Sequence, residues 1–395
     1  MATERFQYKD GKTSTAGENT QRHYYDRAGI EAANAKSIYA QFADRKSMPT
    51  KLGKTYKISR WQNIYDRDLQ SAEFAKKGFL SSRSLEDVTK GLTDALLPEG
   101  AGRQNLVNFH KITLETDFAR FGQMIEYTDE VDLFSEDYIQ TRYREELGDL
   151  ANRHFEDLIQ RDMLGTNNVM YSGFGTSLVT MGTGIAPDAS LDDNWRVSYD
   201  LIRKCAAKLT RNRAMKNTSI VVGSTKVDTR TVNKAYYAIV GPQVRMDLEV
   251  CVWNKSGVAE KAFVPAYKYA DAANLAQGEI GAMHDVRFIE SESALVYEGK
   301  GAEVPANYTG TLSKTEVNGK EHFDVFPILF PTQGSFATVG LKGQGKIKFH
   351  AKGPGDVDLT NPYGTVGFFS YNMWYAGIIL KEEALLKCLV LATQA

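Results

Sequence analysis

Cysteine is scarce. The chain has three, Cys205, Cys251 and Cys388, far apart and with no Cys-x-x-Cys pair. An odd, scattered set gives no disulfide framework and no zinc-ligand spacing. They read as free buried thiols of a chain made in a reducing cytoplasm. Proline is scarce too: ten in 395 residues, about half of ordinary usage, which excludes long Pro-rich disorder. The longest apolar run, Met373–Leu380, falls far short of the ~18 residues a membrane span needs. The first twenty residues hold no apolar stretch of a secretory signal. Asn217-Thr-Ser and Asn307-Tyr-Thr therefore read as accidental glycosylation patterns. A net charge of −1 excludes a protein whose main work is to grip nucleic acid across a broad basic face.

What is present is an ordinary folded composition, 42% hydrophobic and 25% charged. The length predicts about two or three domains and a large core. Charge is unevenly spread. Residues 1–60 carry 12 Lys and Arg against 6 Asp and Glu, leaving 36 against 43 in the rest. The first segment is thus a basic arm at +6 on a body at −7.

Residues 1–30 are polar and read as an extended arm. Ile30–Asp44 is weakly helical, and Met48-Pro49 stops it, because proline disfavours helix at the residue before it. Thr55–Trp61 alternates, as does His110–Phe118, and both predict strands. Between them, Gln62–Asn108 is charged and aperiodic. A segment that long predicts a projecting excursion between two paired strands, with a helical insertion over a sheet edge as the other reading.

Ser135–Leu164 predicts the longest helix. Tyr143, Leu147, Leu150, Ala151, Phe155, Leu158 and Ile159 form one apolar stripe, Ser135 can cap the start, and Gly165 can stop the end. About 30 residues would span about 45 Å. Gly165–Asp193 reads as loop and Trp195–Arg213 as a second amphipathic helix. Ser219–Val222, Tyr236–Val240 and Asp285–Glu290 read as strands. Residues 299–365 read as a β-rich insertion with strands at Phe323–Phe330, Phe336–Leu341 and Lys346–His350. Phe368–Leu391 reads as a closing hairpin of buried strands, with a helix through Leu385–Leu391 as the other reading. Together the elements predict an α+β fold.

Chemistry-bearing motifs are nearly absent. Gly340-Leu-Lys-Gly-Gln-Gly-Lys346-Ile347 approaches a phosphate-binding loop but lacks the final hydroxyl and the following helix. Gly173-Phe-Gly175 has Leu178 where a dinucleotide fingerprint needs its third glycine. His23, His110, His154, His284, His322 and His350 make no close metal pair, and there is no Gly-x-Ser-x-Gly. Asp66 with Asp68 and Asp356 with Asp358 read as solvated or turn-forming pairs. The expectation is no catalytic, cofactor-binding or metal site, and no enzyme.

The positive features are a basic arm, a projecting excursion, a strut helix and a separate α/β region. Ordering extended segments costs ~1–2 kcal/mol of backbone entropy per residue, which neighbouring copies can offset. That is the logic of a self-assembling subunit with heterologous interfaces.

The order of elements from about Ser37 to Ala392 adds to this, as do three stretches. These are Tyr236-Tyr-Ala-Ile-Val-Gly-Pro-Gln-Val-Arg-Met-Asp-Leu248, Gly278-Glu-Ile-Gly281 followed by Val286-Arg-Phe-Ile289, and the aromatic-rich Gly364–Ala392. In these the chain resembles the major capsid proteins of short-tailed bacteriophages that package a virion RNA polymerase. That family lies within the coat-protein fold shared by tailed phages, herpesviruses and encapsulins. The resemblance implies an N-terminal arm (1–50), an extended loop lying over the adjacent subunit (51–108), and a peripheral domain (109–194) with spine helix 135–164. An axial domain (195–298), the β-rich insertion (299–365) and C-terminal strands returning to the peripheral domain (366–395) follow. With only about 50 residues before the first strand, it implies a separate scaffolding protein or a shorter arm doing that work. Some relatives crosslink a loop lysine to an asparagine. Lys76 and Lys77 lie in the corresponding loop, as lysines of any such loop would, and no crosslink is expected.

The function so implied is a shell subunit forming hexamers and pentamers of an icosahedral capsid, assembled in the host cytoplasm and part of the virion. Its partners would be itself, a scaffolding protein, a portal protein, a decoration protein, and double-stranded DNA held without sequence specificity; no membrane and no cofactor is expected. The alternatives are an encapsulin-like compartment subunit, a soluble hydrolase without a readable motif, and a tail or fibre protein suggested by 299–365.

Overall fold

The computed structural model describes residues 38–51, 53–61, isolated positions between 85 and 105, 111–134, 139–221, 229–255, 258–269, 275–342, 347–355 and 361–394. After a 3₁₀ turn at Tyr39–Phe42 come β1 (Asp44–Met48), β2 (Thr55–Trp61), β3 (Lys111–Asp117) and β4 (Ala119–Thr128). Helices α1 (Asp129–Phe134) and α2 (Ile139–Leu164) precede β5 (Val169–Tyr171). Then come the single turn α3 (Asp192–Trp195), α4 (Tyr199–Arg211), β6 (Asn217–Val221), β7 (Thr229–Val240) and α5 (Pro242–Val250). Strands β8 (Val252–Lys255), β9 (Val258–Lys261), β10 (Val264–Pro265), β11 (Glu279–Met283) and β12 (Val286–Glu290) follow. The last seven are β13 (Lys314–Val317), β14 (Lys320–Phe323), β15 (Phe326–Phe330), β16 (Phe336–Leu341), β17 (Lys348–Lys352), β18 (Val366–Ile379) and β19 (Leu386–Val390).

The chain divides into two compact units. Of the described residues, one holds 119–155 and 340–375; the other holds those from Ile38 to Phe118, 156–339 and those from Ala376 on.

In the first unit, β18 is the organising strand. It pairs antiparallel with β4 from Val366↔Thr128 to Tyr375↔Ala119, and with β17 from Lys348↔Asn372 to Lys352↔Phe368. From Val366 to Tyr375 its residues alternate between half-buried and buried, the period-2 signature of a sheet covered on one face. The covered face carries Phe369, Tyr371, Met373 and Tyr375. Phe369 stacks on Tyr127 at 5.3 Å, Tyr127 meets Tyr143 at 6.2 Å, and Phe155 meets Tyr375 edge-on at 5.9 Å. So the expected stripe of α2 does face a core. Leu147 and Ala151 are buried here, while Tyr143, Leu150 and Phe155 are half-buried; Leu158 and Ile159, of the second unit, are buried as well. Ser135 lies outside the described residues.

The second unit is built on a sheet of eight strands among the described residues, in the order β10-β11-β12-β7-β15-β19-β5, with β6 also on β7. The β12–β7 and β19–β5 pairs are parallel. Both faces are covered, as the near-continuous apolar strands demand. On one side, Leu201, Ile202, Cys205, Ala206 and Leu209 of α4 pack with Ile328, Phe330, Leu386, Cys388 and Val390. On the other, Met181, Trp195, Phe323 and Val325 pack with Leu389 and Leu391. Ser198 Oγ accepts from Leu201 N at 3.3 Å and caps α4, so this helix starts at Tyr199 rather than Trp195. Gly278 sits at φ +78°, and a Cβ on Gly281 would lie 2.6 Å from the Val264 carbonyl oxygen. Both glycines of that motif are therefore required by backbone geometry.

Several expectations need correction. Of the helix expected over Ile30–Asp44, residues 30–37 lie outside the described residues, and the remainder is a short 3₁₀ helix, Tyr39–Phe42, leading into the strand Asp44–Met48. The Gly165–Asp193 loop contains β5, too short to show a period. Of the segment 299–365 read as one insertion, Phe326–Phe330 lies in the middle of the central sheet between β7 and β19. All five of its residues are buried. Phe368–Leu391 is not a hairpin, because β18 joins β4, β17 and β16 while β19 joins β15 and β5. The long segment before His110 does leave from and return to paired strands. Thr55↔Asp117 through Trp61↔Lys111 form an antiparallel ribbon.

Candidate functional site

The residues of the near-miss motifs do not converge. Gly340 lies in β16 and the next described element is a strand, β17, so no helix follows that loop. Gly173 sits at φ +56°, where a Cβ would strike the Trp195 ring at 2.8 Å; it is a packing glycine. His154 hydrogen-bonds Tyr371, His322 Nδ1 lies 3.2 Å from the Gly301 carbonyl oxygen, and His350 Nε2 lies 3.0 Å from Asn372 Nδ2. His23, His110, Asp66, Asp68, Lys76, Lys77, Asp356 and Asp358 lie outside the described residues. Among the described residues no group of three His, Cys, Asp or Glu could hold a metal ion. No described helix is long and apolar enough to cross a membrane. The three cysteines are buried and unpaired. Burial pushes the Cys251 thiol up to about 12. A hydrogen bond with Cys205, followed by burial, raises that of Cys388. Such thiols are poor nucleophiles.

What the second unit does contain is a pair of polar anchors, each at the root of a long segment. The first holds the ribbon. Arg60 is the penultimate residue of β2. Its Nη1 and Nη2 donate to Glu383 Oε1 and Oε2 at 2.6 and 3.2 Å, a bidentate pair with Glu383 almost wholly buried. On β3, Thr116 Oγ1 donates to the Gly377 carbonyl at 2.9 Å.

Glu383 belongs to a 3₁₀ turn, Glu382–Ala384, which lies outside any ladder. Its buried carbonyls would be orphans without side-chain donors. Asn168 Nδ2 and Asn212 Nδ2 donate to the Glu383 carbonyl at 3.1 and 2.9 Å. Thr332 Oγ1 serves Ala384 at 2.7 Å, and Thr166 Oγ1 serves Leu385 at 3.1 Å. Lys387 Nζ donates to the Leu164 carbonyl at the end of α2, 2.7 Å away. Burial lowers the pKa of this lysine. One turn thus ties together the ribbon, the end of α2, the end of α4 and the β15–β16 connection.

The second anchor holds the segment that follows the arm. Residues Ile38 to Ala43 are all buried. The Glu156 carboxylate on α2 accepts three successive backbone N–H groups: Ile38 at 2.9 Å, Tyr39 at 2.6 Å and Ala40 at 3.3 Å. These are the unsatisfied donors at the start of a helical turn, where an anion is favoured. One turn along α2, the Gln160 amide accepts from Tyr39 Oη at 2.9 Å and Leu295 N at 2.6 Å, and donates to the Ser293 carbonyl at 3.0 Å. Burial raises the Tyr39 phenol pKa, and the nearby Glu156 charge adds to the shift.

Neither anchor is a reaction centre. No nucleophile–base pair is set beside either, and the carboxylates are engaged by fixed donors. Sequence reasoning missed both. The only signals were Glu156 at the border of the α2 stripe and Glu383 between two apolar runs.

No family model matches the chain. The major capsid protein of Pseudomonas phage KPP21 is 30% identical over 391 residues, covering 94% of this chain and 93% of that protein. The chain belongs to the phage major capsid proteins. It is a structural protein of the virion capsid, not an enzyme. Among solved structures, this capsid protein is similar to the capsid of Ralstonia phage GP4, with TM-score 0.53, 10% identity, and 98% and 99% of the two chains covered. It is likewise similar to the capsid structure of the cyanophage P-SCSP1u, with TM-score 0.50, 10% identity, and 97% and 96% covered. At these identities the likeness is one of fold, an α+β fold of the tailed-phage capsid type.

Proposed function

We propose that the protein assembles into the hexamers and pentamers of an icosahedral shell around double-stranded DNA, in a short-tailed phage that packages a virion RNA polymerase. In this reading 51–108 is an extended loop lying over a neighbour, 109–194 a peripheral domain and 195–298 an axial domain. The arm 1–50 faces the interior, and scaffolding, portal and decoration proteins complete the head, which assembles in the host cytoplasm. The observation that carries the reading is the 30% identity to a named major capsid protein along nearly the whole chain. The two anchors support it, since a subunit that reaches over its neighbours needs fixed roots for the segments that reach.

Sedimentation of the purified protein, with negative-stain images of the fastest fraction, tests the reading. Closed uniform particles, or rings of five and six, are the expected result. A monomer or dimer at every concentration, with and without co-expressed head proteins, would refute it.

A further inference from the structure

The surface of the second unit carries two apolar patches far apart in sequence. The first is on α5 and the strands after it. Val244 and Leu248 face the core, while Met246 and Val250, one turn apart on the other side, are exposed, Val250 by 74%. Val252 continues this face. The Cys251 carbonyl accepts from Ala262 N at 3.0 Å, and exposed Val264 and Tyr267 follow two and five residues after that contact. Lys261 pairs in register with Val252, and Lys268 Nζ lies over the Tyr267 ring. Both lysines are exposed. Glu260 pairs with Trp253 and so lies on the opposite face of the β8–β9 hairpin. Arg245 and Glu249 pair with each other at 3.0 Å.

The second patch is on the loop after β5. Phe174, 77% exposed, stands edge-on to Trp195 at 6.5 Å; exposed Val179 lies on the same loop, and exposed Leu191 precedes the turn α3 that carries Trp195. Thr180 Oγ1 holds this loop by accepting from Thr176 N and Ser177 N at 3.0 and 2.9 Å. The flanking charges are acidic. Asp188 is exposed, and Asp193 is 92% exposed even while accepting from Arg196.

We propose that the first patch of one copy seats on the second patch of the next copy, head to tail, within the ring assembly proposed above. Exposed apolar clusters with polar rims mark interaction surfaces. The charges choose the partner. A two-fold contact of the first patch with itself would set Lys261 and Lys268 against the same lysines. A head-to-tail contact sets them against Asp188 and Asp193. A heterologous contact of this kind generates a ring where the rotation between copies closes. The proposal rests on the ring reading and names the surfaces that build the ring.

The test mixes two full-length variants, Val250→Cys and Phe174→Cys, during assembly under mild oxidation. The native cysteines are buried and do not compete. A disulfide-linked pair in the assembled fraction of the mixture, absent from either variant alone, is the expected result. Self-linking of Val250→Cys, or assembled rings with both thiols unlinked, overturns the proposal while leaving the ring reading intact. Failure of the unsubstituted chain to assemble overturns both. As a second arm, Lys261→Glu lowers the assembled fraction about tenfold at unchanged melting temperature, and adding Asp188→Lys restores it. No recovery in the double variant counts against the charge pairing.

Discussion

The ribbon and the central sheet of the second unit are made of the same kind of ladder and held by different forces. In the ribbon, β2 and β3 each alternate exposed and half-buried residues, and none is buried. Its seven register pairs are supplemented by an exposed ion pair, Lys57–Glu115 at 2.7 Å, and by the Arg60–Glu383 root. In the central sheet, β15 is buried throughout and β19 in four of its five residues. The sheet is stabilised by apolar burial and the ribbon by its attachment. Composition could therefore vary along the ribbon at little cost to folding, whereas the sheet is sensitive to a single methylene.

Substitutions can break or sharpen that contrast. The largest effect is expected in the sheet: Phe330→Ala should lower unfolding free energy by about 3–5 kcal/mol in urea titration. A loss below about 1 kcal/mol would mean β15 is not part of the core. An intermediate effect is expected at the root. Glu383→Ala leaves Arg60 uncompensated and should cost about 2 kcal/mol, less than a fully buried pair because Arg60 keeps partial contact with water. The Arg60→Met, Glu383→Met double variant should recover most of it, and a double variant as unstable as the single would show that the charge pair itself is not the issue. The smallest effect is expected along the ribbon: Lys57→Met should change stability by no more than about 0.5 kcal/mol. A larger change would give the ribbon a stabilising role that its exposure denies.

How legible each part was depends on the distance over which its cause acts. The ribbon strands and α2 were readable because their periods are local and long enough to count. β5 was not, since three residues carry no period. β1, with three of its five residues exposed, offers no alternation; its first residue was read as the end of a helix and the rest was given no element. The strand Phe326–Phe330 was recognisable as a strand but not as the centre of the sheet, because an apolar run does not state its neighbours. The anchors were the least legible. Glu156 acts on residues 116 to 118 positions away, and Glu383 on one 323 positions away. A lone carboxylate in a sequence does not announce such partners. The α+β fold of the capsid type was legible through the family resemblance.

The position of β19 in the central sheet has a consequence in time. This strand separates β15 from β5, and β5 has no other partner strand among the described residues. Between synthesis of Tyr171 and Val390 a ribosome needs roughly 10 to 45 s at ~5–20 residues per second. Throughout that interval β5 waits with its ladder edge unmatched, and the cluster around Trp195 lacks Leu389 and Leu391. The core is thus completed after nearly everything else has emerged. A chain stopped short of β19 therefore leaves β5 without its partner strand and the Trp195 cluster without two of its buried leucines.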